Sequence, residues 1–362
     1  MATLAAPMAT VRAVPQLKRQ ASMARRALPA LCLLLLLCAA CAPARMAPGP
    51  GPSDPHLQSE TIVMDDGLAL PLRRWLPPGD SETRAVVIAL HGFNDYSKAF
   101  ESAGTTWAKD GIATYAYDQR GFGAGPGAGL WAGHERLTAD LADAAESIAA
   151  RHPGLPVYLL GDSMGAAVVL VALTGDMPPQ DVAGAILVAP AVWGRATMPV
   201  YQRAALWLFA RVMPWARFSG RGLKIQASDN IEMLRALGRD PLVIKRTRVD
   251  AIDGLTDLMS AALEAGPRFD ALALLLYGEK DEIVPKEPVF RFWRDLPAEA
   301  ATRQRQALYA EGWHMLLRDL QAEVVHEDIA AWIAAPDAAL PSGADAQARA
   351  ALQEIEEAAE AR

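Results

Sequence analysis

Short apolar runs alternate with helical patterns through the middle of the chain. "AVVIAL" (85–90), "IATYAY" (112–117), "PVYLL" (156–160), "AGAILVA" (183–189), "ALALLLY" (271–277) and "RQALYA" (305–310) span five to seven residues each. Most are apolar at successive positions, as strands covered on both faces are, so each predicts a buried strand. "ETIVM" and "LALPLRRWLP" flank Asp65-Asp66-Gly67 and predict a leading hairpin. Between strands, "LTADLADAAESIAARH" (137–152) carries apolar residues at helical spacing. Strands alternating with helices predict an α/β class: a mostly parallel central sheet with helices on both faces. The interval from Trp193 to Gly266 is helical without a clear strand, and predicts a cap inserted before the last two strands. The organised domain is read as residues 59–335, followed by an Ala- and Glu-rich tail, 336–362, expected to be a loose helix or frayed end.

Composition sharpens this at the N-terminus. Hydrophobic residues make up 52% of the 362, enough for one large core. No Asp or Glu precedes Asp54, whereas Arg12, Lys18, Arg19, Arg25 and Arg26 precede the apolar run 27–40. That run is shorter than the ~20 residues a spanning helix needs. A basic start, a short apolar core and small residues predict a secretory signal over 1–41, with Met23 as a possible true start. The "CAAC" at its end resembles a bacterial lipobox, which implies lipidation at Cys41 and a place in the cell envelope, outer membrane favoured over a secreted or periplasmic form. Residues 42–58 are Pro- and Gly-rich and predict an extended tether. All three cysteines lie at or before Cys41, so the folded domain has no disulfide or Cys-ligated metal. The net charge of −7 argues against a nucleic-acid partner.

The candidate chemistry begins at "YLLGDSMGAAVVL" (158–170). A predicted strand runs into a predicted helix through Gly161, Asp162, Ser163, Met164 and Gly165. This is the placement of a nucleophile elbow, in which the glycines relieve crowding around a strained, exposed serine. Ser163 is therefore the candidate nucleophile. Such a serine needs a base, and the base needs an orienting acid later in the chain. His314 follows a predicted strand, in a loop able to reach the strand ends; His326 sits inside a helical pattern and reads as a surface or packing residue. The acid falls in "LLLYGEKDEIVP", where position alone leaves Glu279, Asp281 and Glu282 open. Two backbone amides would form the oxyanion hole, that of Met164 and one from the "HGF" loop, with Phe93 the expected donor. His91 of that loop reads as a brace.

"RRWLP", "HGFNDYS", "YAYDQRGFG", "YLLGDSMG", "LLLYGEKDEIVP" and "EGWHMLL" together resemble the α/β-hydrolases of the monoacylglycerol lipase, lysophospholipase and serine aminopeptidase-like group, over about residues 60–335. That resemblance selects Asp281 as the acid and implies a triad of Ser163, His314 and Asp281 with no cofactor or metal. It also implies ester hydrolysis on a lipid with one acyl chain, a monoacylglycerol or lysophospholipid. Asp162 stands where the group usually has His, which points to an altered head-group or leaving-group preference. Between Trp193 and Ser228 six cations (Arg195, Arg203, Arg211, Arg217, Arg221, Lys224) interleave with Tyr201, Trp207, Phe209, Trp215 and Phe218, without any acidic residue. That segment predicts a basic aromatic face for a membrane surface, or a cap packed over the site. The competing functions are an aminopeptidase-like or acyltransferase activity on the same triad, and a non-catalytic lipid-binding protein. The absence of acidic groups in 193–228 speaks against a site for a substrate amine, and a complete triad speaks against a mere binder. No pattern assigns an oligomeric state.

Overall fold

The buried runs form the centre of a nine-stranded sheet. The structure is a computed structural model that describes residues 43–79, 81–220 and 222–360. The signal segment 1–41, the alternative start at Met23 and Cys41 lie outside the described residues. In chain order the elements are β1 (His56–Leu57), β2 (Thr61–Val63), β3 (Ala69–Trp75), β4 (Ala85–Leu90), α1 (Glu101–Lys109), β5 (Ile112–Tyr117), α2 (His134–Arg151), β6 (Val157–Asp162), α3 (Met164–Leu173) and β7 (Val182–Val188). They continue with α4 (Val200–Val212), β8 (Arg217–Phe218), α5 (Ile231–Arg239), β9 (Thr247–Arg248), α6 (Val249–Ala265), β10 (Ala273–Gly278), α7 (Lys286–Arg294), β11 (Gln304–Tyr309), α8 (Ala322–Ala334) and α9 (Ala344–Glu360).

The sheet order is β1-β2-β3-β5-β4-β6-β7-β10-β11. The predicted hairpin, β2 against β3, pairs antiparallel with Ile62 opposite Leu70, and β3 joins β5 antiparallel. From β5 to β11 every pairing is parallel. Every residue of β4, β5, β6 and β10 is buried, which is why these strands read as unbroken apolar runs. Helix α3 is apolar all round and nearly wholly buried, as a helix wedged between a sheet and other helices must be. Strand β4 leads to β5 on one side, while its other neighbour β6 leads to β7 in the opposite direction, so the connections diverge at the carboxyl ends of β4 and β6. Open α/β sheets place their sites in the crevice at such a switch point.

Four expectations need correction. The first is the tether, which is docked from Ala44 onward. Its backbone amides find acceptors at the β2–β3 turn: Gly49 N–H on the Asp66 carboxylate, Gly51 N–H on Asp66 O and Ser53 N–H on Asp65 O. A side chain at Gly49 would collide with Asp66, its Cβ falling 2.4 Å from the carbonyl oxygen. Met46 N–H donates to Trp131 O, Ala44 N–H to the Asp250 carboxylate, and His56–Leu57 adds an edge strand.

The second is the extent of the cap. Helix α6 buries Leu258, Met259, Ala262 and Leu263 in the same core as Val168 and Val169 of α3, so the cap ends near Arg248. The third is that the cap does contain strand, since Arg217–Phe218 pairs with Thr247–Arg248.

The last concerns the tail, which is helical as one of the two expectations had it but packed and not loose, its helix α9 lying on β11. Its inward positions, Ala344, Ala348, Ala351, Leu352 and Ile355, fall on one face, and Arg305 of β11 pairs with Asp345 at 2.9 Å.

Candidate active site

The turn between β6 and α3 is a single residue, Ser163. Its φ of 53° and ψ of −108° lie outside the regions open to L-residues, a strain of roughly 1–3 kcal/mol that the surroundings must hold. They do so through its backbone. Ser163 N–H donates to Val188 O at 2.9 Å, and Ser163 O accepts from Ala191 and Ala167. The flanking glycines are required by space: a Cβ on Gly161 would lie 2.3 Å from Ala166 N, and one on Gly165 would lie 2.1 Å from Leu90 O.

Ser163 Oγ stands 3.0 Å from His314 Nε2, and His314 Nδ1 stands 2.7 Å from the Asp281 carboxylate. Asp281 is aimed by its own turn, its second oxygen accepting from the amides of Ile283 (2.7 Å) and Val284 (2.9 Å). The neighbouring acids are engaged elsewhere: Glu279 pairs with Lys286, and Glu282 accepts from Gln226 N–H. His326 is buried, bonded to Leu317 O and edge-on to Trp107, so it packs rather than reacts. Burial alone would disfavour a charged His314, but the adjacent Asp281 carboxylate outweighs it and holds the pKa above the ordinary value.

The "HGF" loop lies across the carboxyl end of β4. His91 is fully buried; its Nε2 accepts from Gln119 N–H, its Nδ1–H donates to Gly92 O, and its carbonyl accepts from the Gln119 amide. Burial pushes its pKa down, so it is a neutral brace. The adjacent Arg120 is 1% exposed and bonds Asp66 and Asp140, anchoring the loop that carries Gln119; removing one partner of such a pair costs about 3–5 kcal/mol. The Phe93 ring stacks edge-on to Phe122 and Trp131. Among the described residues neither Phe93 N–H nor Met164 N–H donates to a protein acceptor, which leaves both free for an oxyanion.

Several residues of the site were not read from the sequence. Asp95 forms an ion pair with Arg318 at 2.6 Å, joining the oxyanion loop to the His314 loop. Asp319 accepts from Ser228 Oγ (2.6 Å) and Trp313 N–H (2.7 Å), and Met315 N–H donates to Ala227 O, so residues 227 and 228 of the cap fix that loop. Asn94 ties the oxyanion loop to the cap by accepting from Ile244 N–H and donating to Thr247 Oγ1. The only sequence signal was a charged pair, Arg318-Asp319, inside a predicted loop. A groove of about 1800 Å³ beside α2 and the 175–183 loop is lined by none of Ser163, His314 and Asp281. Among the described residues no group of three or more His, Cys, Asp or Glu is arranged to hold a metal ion.

Residues 81–321 match the family described as serine aminopeptidase, S33. The chain is 25% identical to human monoglyceride lipase over 289 residues, covering 78% of this chain and 92% of that one. It is 24% identical to the monoacylglycerol lipase of Mycolicibacterium smegmatis over 277 residues, 72% of this chain and 90% of the other. A soluble variant of monoglyceride lipase from Saccharomyces cerevisiae, solved with a substrate analogue, superposes with a TM-score of 0.64 at 21% identity, covering 79% of this chain and 98% of that one.

Proposed function

From the premise that the chain belongs to the serine aminopeptidase, S33 family and is an α/β-hydrolase, we propose that it hydrolyses the carboxylic ester of a lipid with a single acyl chain. A monoacylglycerol is the favoured substrate, a lysophospholipid the next. The observation that carries the reading is the continuous hydrogen-bonded line from Asp281 through His314 to Ser163. Ser163 attacks the ester carbonyl while His314 Nε2 takes its proton. Asp281 fixes the tautomer and favours the imidazolium that forms. The amides of Phe93 and Met164 receive the oxyanion, and His314 then protonates the departing alcohol. Water, deprotonated by the same His314, releases the fatty acid and restores Ser163. Relatives named monoglyceride lipase and monoacylglycerol lipase, covered across nine-tenths or more of their length, support the substrate class.

A panel of monoacylglycerols, lysophospholipids, simple esters and aminoacyl amides tests this. Monoacylglycerols of one acyl length should give the highest kcat/KM; preference for aminoacyl amides would move the activity to the peptidase side of the family.

The cap and N-terminus extend the proposal to a membrane surface. Of α4 only Ala210 is buried, while Val200 (72% exposed), Tyr201 (71%) and Trp207 (54%) face outward. Arg203 and Arg211 are exposed on the same helix, Arg211 over the Trp207 ring, and Arg217 and Lys224 are exposed beyond it; Arg195 is held by Asp253 and Asp257. Exposed apolar side chains interspersed with exposed cations suit an anionic bilayer, at about 1 kcal/mol per basic residue near the surface. Cys41 is the proposed anchor, on the lipobox-like "CAAC" that ends the apolar run; no helix among the described residues is long and apolar enough to cross a membrane. A chain starting at Ala44, which keeps the docked strap, should bind anionic vesicles, less so at high salt; the full chain should fractionate with the envelope unless Cys41→Ser is introduced. Equal binding to neutral and anionic vesicles would remove the role given to the cations, and recovery of the unprocessed chain in the cytosol would remove the anchor.

A further inference from the structure

Among the buried acids that the proposed reaction leaves unused, Asp162 is the one next to Ser163 in the chain. It ends β6, immediately before Ser163, and is 6% exposed. Its carboxylate hydrogen-bonds to no described residue. Its neighbour Asp95 is matched by Arg318, and Asp281 by His314. Neither of its oxygens is among the fully buried polar atoms that lack a partner, so the carboxylate opens beside Ser163, where a group supplied from outside can meet it.

Its position says which partner. A Cβ built on Gly92 would lie 3.4 Å from Ser163 Cβ and 3.8 Å from an Asp162 carboxylate oxygen, so the carboxylate rests against the oxyanion loop beside the nucleophile. The charged groups around it are Arg318 and His314 of one loop, Asp95 of the oxyanion loop and Asp281 of the acid turn. In acylation the leaving oxygen must come within hydrogen-bond reach of His314 Nε2, which stands 3.0 Å from Ser163 Oγ. The alcohol half of the ester is thereby placed between the His314 loop and the oxyanion loop, on the side where Asp162 stands. Arg318 is already committed to Asp95 on that side, which leaves Asp162 as the open acceptor.

We propose that Asp162 is a specificity-determining residue for the leaving alcohol, accepting a hydrogen bond from a free hydroxyl of a polyol head group. The proposal rests on the ester-hydrolase reading and deepens it by naming the subsite for the hydroxyls. Burial pushes the carboxyl up to about 6, so above that pH the group is mainly an acceptor without a proton of its own. A site built to bond a hydroxyl discriminates against an analogue lacking it, because the buried acceptor is then left unpaired.

The test compares a monoacylglycerol with the methyl ester of the same fatty acid, on the wild-type chain, Asp162→Ala and Asp162→Asn. Fluorophosphonate inactivation, which involves no alcohol leaving group, is measured alongside. The ratio of kcat/KM for monoacylglycerol over methyl ester should fall about tenfold in Asp162→Ala, chiefly through KM. In Asp162→Asn it should fall less, because the amide oxygen still accepts. An unchanged ratio would overturn the subsite. So would a parallel loss on both esters and in the inactivation rate, which would make Asp162 a support of the triad. A wild-type chain that hydrolyses neither ester contradicts the hydrolase reading itself, a failure visible before any variant is made.

Discussion

Ser163→Ala is expected to lower kcat/KM for ester hydrolysis by at least about 10³, with the fold and lipid binding intact. The hydroxyl is the group that bonds to carbon; without it only binding and the oxyanion amides remain. His314→Ala should be as damaging, because Ser163 Oγ then has no acceptor for its proton at 3.0 Å. The double variant should be little worse than either single one, since residues that act as a unit do not lose rate additively. His326→Ala touches only packing against Trp107 and Leu317 O, so its effect should fall on stability. Steady-state kinetics on one monoacylglycerol decide this, and retention of more than a tenth of wild-type activity in Ser163→Ala would exclude it as the nucleophile.

Asp281→Asn is expected to cost about 10³ in rate, for a reason visible in the turn. One carboxylate oxygen is held by the amides of Ile283 and Val284, and the other faces His314 Nδ1. An asparagine that keeps the backbone bonds must turn its NH2 toward Nδ1. That holds the imidazole with its proton on Nε2, the tautomer that cannot accept from Ser163. The pH profile carries a second signature. His314 must be neutral to act as base, so activity falls as pH drops through its pKa, which Asp281 holds above the ordinary value. Removing that charge lets burial dominate and lowers the pKa, so the acid limb should move to lower pH while the plateau drops. Glu279→Gln and Glu282→Gln should be mild, because Lys286 and Gln226 N–H are their partners. A severe Glu279→Gln would mean that the turn is set differently.

The central strands were legible because burial on both faces leaves a simple mark. "AVVIAL" and "IATYAY" coincide with β4 and β5, and the remaining runs fall within two residues of their strands. The elbow was legible for a similar reason, since the sterics around Ser163 admit only glycine at 161 and 165. Order along the chain left His314 and His326 as bases, and the loop after a predicted strand favoured His314. Position left three acids open, because which carboxylate a turn aims inward depends on backbone bonds such as those from Ile283 and Val284.

What escaped the sequence was made by partners distant along the chain. The strap from Ala44 is Pro- and Gly-rich, and only the acceptors at Asp65, Asp66 and Trp131, brought close by the fold, give it a defined path. Helix α9 packs largely through alanines, whose weak contrast with polar neighbours hides an apolar face. Arg195 looked like one of six cations facing outward until α6 brought Asp253 and Asp257 beside it. The ties from Asp95 to Arg318 and from Asp319 to Ser228 span loops far apart in the chain and leave no periodicity to read.

Site-mapped labelling tests the central claim most directly. The full chain is treated with a fluorophosphonate at neutral pH, digested, and the modified peptide is identified by mass spectrometry, with ester turnover followed in parallel. One label per chain on Ser163, appearing at the rate at which turnover is lost and slowed by orders of magnitude in His314→Ala, is the predicted result. A label on any other residue, or ester turnover that survives full modification of Ser163, would contradict the account.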